Sequence, residues 1–374
     1  MDANPYVPSD VIPPPCFAGR KEILHRAAQL MADARRGIHG GLLLSGHRGI
    51  GKTSVLRAVE ATLPKDVAIV RVRFTRKAKV ADFAAELVGR IRGEMPGWRR
   101  RYDLREVELP FISVKMAPRG ANEASPETAL FEAFCALRKV PVLWISLDDT
   151  DWVEGEALSL LKSAMEESVT PPAVVCIAGG PQIRRRLLSE HSPIIRLFSG
   201  SDFDLGNFTL PETREALVLP LLKGKTRAHW TEGAVARVHE WTGGYPYLVQ
   251  CLAFAAFREG LIDEERVEAA VTQAMRIAGT WMEMELRSAS IADLTLLDRL
   301  GQSHKAEWRA DELRAAGAHP VYIARLEKMG ALRKVSRGQY VLTKAPMIAR
   351  FHLWKRAVVP EGQEGGPKLN SPNP

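Results

Sequence analysis

Residues 42–53 read LLLSGHRGIGKT, and this stretch decides the fold. Leu42-Leu43-Leu44 is a short apolar run of the kind that forms a strand buried on both faces. Gly46-His47-Arg48-Gly49-Ile50-Gly51-Lys52-Thr53 then satisfies G-x-x-x-x-G-K-[ST] at every defined position, and a helix is expected from Lys52 to Leu63. Strand, glycine-rich turn and helix in that order make a phosphate-binding loop. The glycines let the backbone close around phosphate oxygens, where loop N–H groups and the helix N-terminus supply positive partial charge. Lys52 is placed for the outer phosphates and the Thr53 hydroxyl for Mg²⁺, and the nucleotide-binding run extends to Ser54.

Outward from this loop, apolar runs alternate with amphipathic segments. Strands are expected over 66–74, 140–147 (VPVLWISL) and 173–178 (AVVCIA), with shorter ones at 107–115 and 201–210. Helices are expected over 20–36, 81–95, 126–137 and 158–167. Alternation of this kind implies an α/β core, a parallel sheet with helices on both faces. Asp148-Asp149 follows the strand 140–147, ninety-five residues after Thr53. A carboxylate at that strand end suits Mg²⁺, so Asp148 is the metal candidate and Asp149 the base that orients water. Taken alone, the same pair also reads as an acidic turn.

Phe17-Ala18-Gly19-Arg20-Lys21-Glu22 opens the helix ahead of the loop. With WISLDD downstream, Cys176-Ile177-Ala178-Gly179-Gly180-Pro181 after it, and Thr242-Gly243-Gly244-Tyr245-Pro246 further on, the order resembles AAA+ ATPases of the origin-recognition initiator group and the related STAND ATPases. The resemblance spans residues 4–355. It implies ATP as the nucleotide, with Mg²⁺; an adenine-side segment holding Phe17 and Arg20; and a helical lid from which Pro246 reaches the nucleotide. The sequence departs from those families in three places. Asp149 stands where many members have Glu, glycine stands at the sensor-1 position, and no Arg follows Gly244 closely, which together imply slow hydrolysis. Arg184-Arg185-Arg186 and Arg196 stand where an arginine finger acting on a neighbouring subunit could sit, or form a solvated basic face.

From Pro211 the character changes to helices over 211–223, 231–242, 246–258 and 263–286. Helices over 291–300, 309–316 and 320–330, followed by strand, turn and strand up to Thr343, form a winged-helix pattern. Five regions are thus expected: an extended proline-rich start (1–16), an ATPase core (17–210), a helical lid (211–288), a winged helix (289–357) and a disordered tail (358–374).

Net charge is +8 with a pI near 9.4. Residues 302–357 hold twelve Lys/Arg against four acids, a local excess equal to that of the whole chain. Such a surface favours double-stranded DNA. Arg325 and Lys328 on the second helix of the motif, beside Tyr322, are the groove candidates, and Arg333, Lys334 and Arg337 the wing candidates. Winged helices also dock on proteins, and self-assembly or a protein partner stays open. A second basic run, Arg99-Arg100-Arg101 between Trp98 and Tyr102, could hold nucleic acid or be an ordinary loop. Four scattered cysteines without a C-x-x-C pair argue against metal or redox chemistry. With 46% hydrophobic and 26% charged residues, no apolar segment long enough to span a bilayer and no secretory pattern at the start, the protein reads as cytoplasmic.

Overall fold

In the computed structural model, residues 3–102, 125–166, 170–303, 305, 307–329, 331–342, 347, 348 and 351 are described. The chain divides into two compact units. One is Val11–Gly206; the other runs from Asn207 onward and takes in the first ten residues.

The first unit is built on five strands: β1 (Gly40–Ser45), β2 (Val67–Arg73), β3 (Val142–Asp148), β4 (Ala173–Gly179) and β5 (Asp202–Asp204). Their spatial order is β2-β3-β4-β1-β5 and every pairing is parallel. All residues of β1, β3 and β4 are buried, which is why these segments read as continuous apolar runs rather than alternating ones. The covering helices are α1 (Lys21–Ala34), α2 (Lys52–Thr62), α3 (Val80–Tyr102), α4 (Pro126–Ala136), α5 (Gly155–Glu166) and α6 (Ile183–Ser189). Leu43, Val70, Phe83, Leu130, Phe134, Ile145, Leu158 and Val175 are among the residues of one continuous core.

This is the expected α/β architecture, with boundary differences. Helix α3 runs through Pro96 to Tyr102 instead of stopping at Met95. Strand β5 is three residues long, because Thr209 caps a new helix through a reciprocal bond pair with Glu212, and Pro211 suits that helix's first turn. The strand expected over 107–115 and the side chains of the basic run 99–101 lie outside the described residues, as does the tail 358–374.

The second unit opens with four helices, α7 (Leu210–Gly224), α8 (Glu232–Thr242), α9 (Pro246–Ala256) and α10 (Glu264–Leu286). A two-residue parallel pair, β6 (His229–Trp230) with β7 (Leu261–Ile262), links their turns. Among the described N-terminal residues, which are otherwise exposed or half-buried up to Cys16, Tyr6 is drawn inward. Tyr6 is buried, donates its hydroxyl to Leu217 O at 2.6 Å and accepts from Trp230 Nε1 at 2.7 Å, and its ring meets Trp230 and Phe257 edge-on. Proline content gave no hint of this aromatic anchor. The unit continues with α11 (Ile291–Gln302), β8 (Glu307–Arg309), α12 (Ala310–Ala315), α13 (Pro320–Lys328), β9 (Leu332–Ser336) and β10 (Gln339–Leu342). The strands form an antiparallel sheet in the order β8-β10-β9 over a core of Leu297, Leu300, Leu313, Leu326 and Leu332. This is the winged-helix arrangement. Three-residue β8 was missed because so short a run carries no periodicity. No helix among the described residues is long and apolar enough to cross a membrane.

Candidate nucleotide site

Because the sheet is parallel, β1, β3 and β4 end at the same edge, where open α/β sheets hold ligands. Ser45 stands beside Gly179 in register, and Arg73 beside Asp148. Residues 46–51 join β1 to α2. Gly51 caps α2 in the left-handed region (φ 97°), which a side chain would strain. A Cβ on Gly46 would come within 2.9 Å of Ile50 Cγ2, so glycine lets this loop close. Lys52 Nζ donates to the loop carbonyls of Gly46 (2.8 Å) and His47 (3.1 Å). Ser54 is half-buried in the first turn of α2, and Ile50 is buried beneath the loop.

The loop and the acidic pair meet directly. Thr53 donates its hydroxyl to Asp148 Oδ2 at 2.7 Å, across ninety-five residues of chain. Asp148 is only 3% exposed, and its Oδ1 accepts the Asp149 amide at 3.0 Å. Burial pushes its carboxyl above the usual range, against the opposing effect of the Thr53 bond. Burial likewise lowers Lys52, and the nearby charges of Asp148, Asp151 and Asp149 act in the other direction. Asp149 adopts a left-handed conformation (φ 55°) and its carboxylate receives Arg73 Nε at 2.9 Å. That bond and charge raise Arg73 further. A hydroxyl and a carboxylate are hard oxygen donors, and the loop above them is rich in amide N–H groups. These residues therefore fit Mg²⁺ and a polyphosphate.

Residues 17–177 match the family model described as AAA ATPase domain. This segment is similar to that family. The chain is similar in fold to the Walker-type ATPase of Pyrococcus abyssi (TM-score 0.58, 18% identity, 90% of this chain and 95% of that one). It is also similar to Cdc6p of Pyrobaculum aerophilum (TM-score 0.53, 16% identity, 95% and 99%). A third similar structure is the ORC2 protein of Aeropyrum pernix in ADPNP–ADP complexes (TM-score 0.53, 15% identity, 90% and 94%). At these identities the likeness is one of fold. A comparison with curated proteins finds no match.

At the start of the matched segment, Phe17 is half-buried just after a short turn (Pro14–Cys16) that lies against α2. Arg20 caps α1 with left-handed backbone (φ 57°), and its guanidinium donates to Gly206 O. Arg73 is a residue that the sequence reading missed; its signal is the end of the strand next to the acid strand. Arg186, singled out as part of a finger candidate, instead donates within its own unit to Thr150 O and Asp151 O, both at 3.0 Å. Arg184 pairs with Asp202 at 2.6 Å, while Arg185 and Arg196 are exposed.

In the second unit, Gly243 and Gly244 have positive φ, and a Cβ on Gly244 would lie 2.1 Å from Phe208 O. These glycines let the turn receive Phe208 N and Asn207 Nδ2, each at 2.8 Å. Pro246 sits buried in the first turn of α9. In the winged helix, Arg325 pairs at 2.6 Å with Asp293, which is fully buried, so its charge is committed inward. Tyr322 is half-buried against the winged-helix core. Lys328, Arg333, Lys334 and Arg337 are exposed.

Proposed function

We propose that the protein is an ATP-binding and slowly ATP-hydrolysing AAA+-like molecular switch that acts with double-stranded DNA through its winged helix. The contact between Thr53 and Asp148 carries the reading, because it joins the phosphate loop to a carboxylate at one sheet edge. In this reading the amides of 46–53 and Lys52 bind the phosphates, and Thr53 and Asp148 hold the metal. Mg²⁺ supplies charge that offsets the phosphate oxygens. Asp149 orients the attacking water and accepts its proton. Phe17 and Arg20 contribute to the adenine side. The short reach of Asp149 and the glycine at the sensor-1 position support slow turnover. Exposed Lys328, Arg333, Lys334 and Arg337 are the proposed DNA contacts.

A second reading, a STAND-type signalling ATPase whose winged helix contacts protein, has its own support. Arg325 is paired inward, and the exposed positions of α13 include Val321 and Ala324 beside Lys328. Steady-state ATP hydrolysis with and without duplex DNA tests the choice. Stimulation by DNA, absent in Lys52→Ala, is expected. Turnover indifferent to DNA moves the assignment to the protein-binding switch.

A further inference from the structure

Strand β4, between the phosphate-loop strand and the acid strand, ends at Gly179-Gly180. The place is not slack. The Gly180 amide donates to Asp151 Oδ2 at 2.5 Å, and the fully buried Thr150 hydroxyl donates to Ala178 O at 3.0 Å. Arg186, one helix further on, spreads its two terminal nitrogens across Thr150 O and Asp151 O. A Cβ on Gly179 would stand 3.0 Å from Thr150 Oγ1 and 2.9 Å from Ile183, and one on Gly180 about 3.1 Å from the Asp151 carboxylate. Glycine is needed here because the turn Thr150–Trp152 packs onto the end of β4. Asp149, with its left-handed backbone, leads straight into that turn. A non-glycine residue in that region persists only where its surroundings hold it.

We infer that Arg186 and Asp151 are positioning residues. They lock the turn after Asp148-Asp149 onto the end of β4, and so set where the Asp149 carboxylate stands relative to the attacking water. This rests on the ATPase reading above. The planar guanidinium suits the task because its fixed fork meets two successive carbonyls, which a lysine's single ammonium does not match. The basic run thereby has a role inside its own subunit, through the acidic turn.

The test uses the full chain and two readouts. The first is amide hydrogen exchange of residues 149–153 and Gly180 without nucleotide. Arg186→Ala is expected to speed exchange there by about 10-fold or more, with the rest of the sheet unchanged. The second is the split between kcat and ATP affinity. Arg186→Ala should lower kcat about 10- to 100-fold, with ATP Kd within about twofold of the parent, and Arg186→Lys should stay nearer to Arg186→Ala than to the parent. Unchanged exchange overturns the inference. So does faster exchange with unchanged kcat, or a loss of ATP affinity matching the loss of kcat, which marks general damage to the fold. Full rescue by lysine overturns the paired-carbonyl geometry. Failure of the ATPase reading looks different: the parent itself shows no turnover and no ATP binding that depends on Lys52, while the exchange readout still decides on Arg186.

Discussion

The nucleotide site and the winged helix use charge in opposite ways. In the first, the buried carboxylate of Asp148 is tied to Thr53, and beside it Arg73 pairs with Asp149 and the Gly180 amide with Asp151. In the second, many charges ride on an exposed surface, and Arg325, on the helix that would enter a groove, turns inward to buried Asp293. Buried polar groups require partners at fixed distances, whereas exposed ones need only face water. A motif therefore predicts the first site residue by residue, and a charge count predicts the second only as a surface.

Substitutions can break or sharpen that contrast. The largest effect is expected from Asp149→Asn, which should lower ATP turnover on the order of 1,000-fold while ATP binding stays near the parent's; single-turnover kinetics with a binding isotherm check this. Lys52→Ala should weaken ATP binding about 100-fold, measured by titration calorimetry, and parental affinity would remove the site. Arg325→Ala should cost about 2 kcal/mol of stability, because it removes the cation paired with the buried Asp293 carboxylate, with the 41% exposure of Arg325 and the remaining bonds from Ser290 moderating the loss. Lys328→Ala in the same denaturant titration should stay within about 0.5 kcal/mol. Equal costs for the two would erase the distinction between inward and outward charge. If DNA binds, neutralising Arg333, Lys334 or Arg337 should each reduce the salt slope of binding by about one without altering the melting temperature.

Asp148 adds a pH dependence to the buried site. Its carboxyl is held above the usual range by burial, so the folded state binds that proton more tightly than the unfolded chain does. The stability it contributes in acid is lost as pH rises through the raised folded value. Asp148→Asn should therefore melt higher than the parent at neutral pH, with the gap closing on acidification toward the ordinary Asp range. A gap independent of pH would contradict the cost of the buried charge.

Much of this was legible in the sequence. LLLSGHRGIGKT specified a buried strand, a closing loop and a helix from neighbouring residues, because glycines, an apolar run and a lysine act locally. The run VPVLWISLDD likewise placed a carboxylate at a strand end, and the order of segments foretold core, helices and winged helix. The tertiary structure alone decided which distant groups meet. Order β2-β3-β4-β1-β5 brings Asp148 to Thr53, sets Arg73 beside the acid pair and lays Gly180 against Asp151. Packing within the second unit buries Tyr6 against Trp230 and turns Arg325 toward Asp293. Periodicity reports which face of an element is apolar, but the partner of a buried polar group is fixed by strand order and packing, which no local pattern encodes.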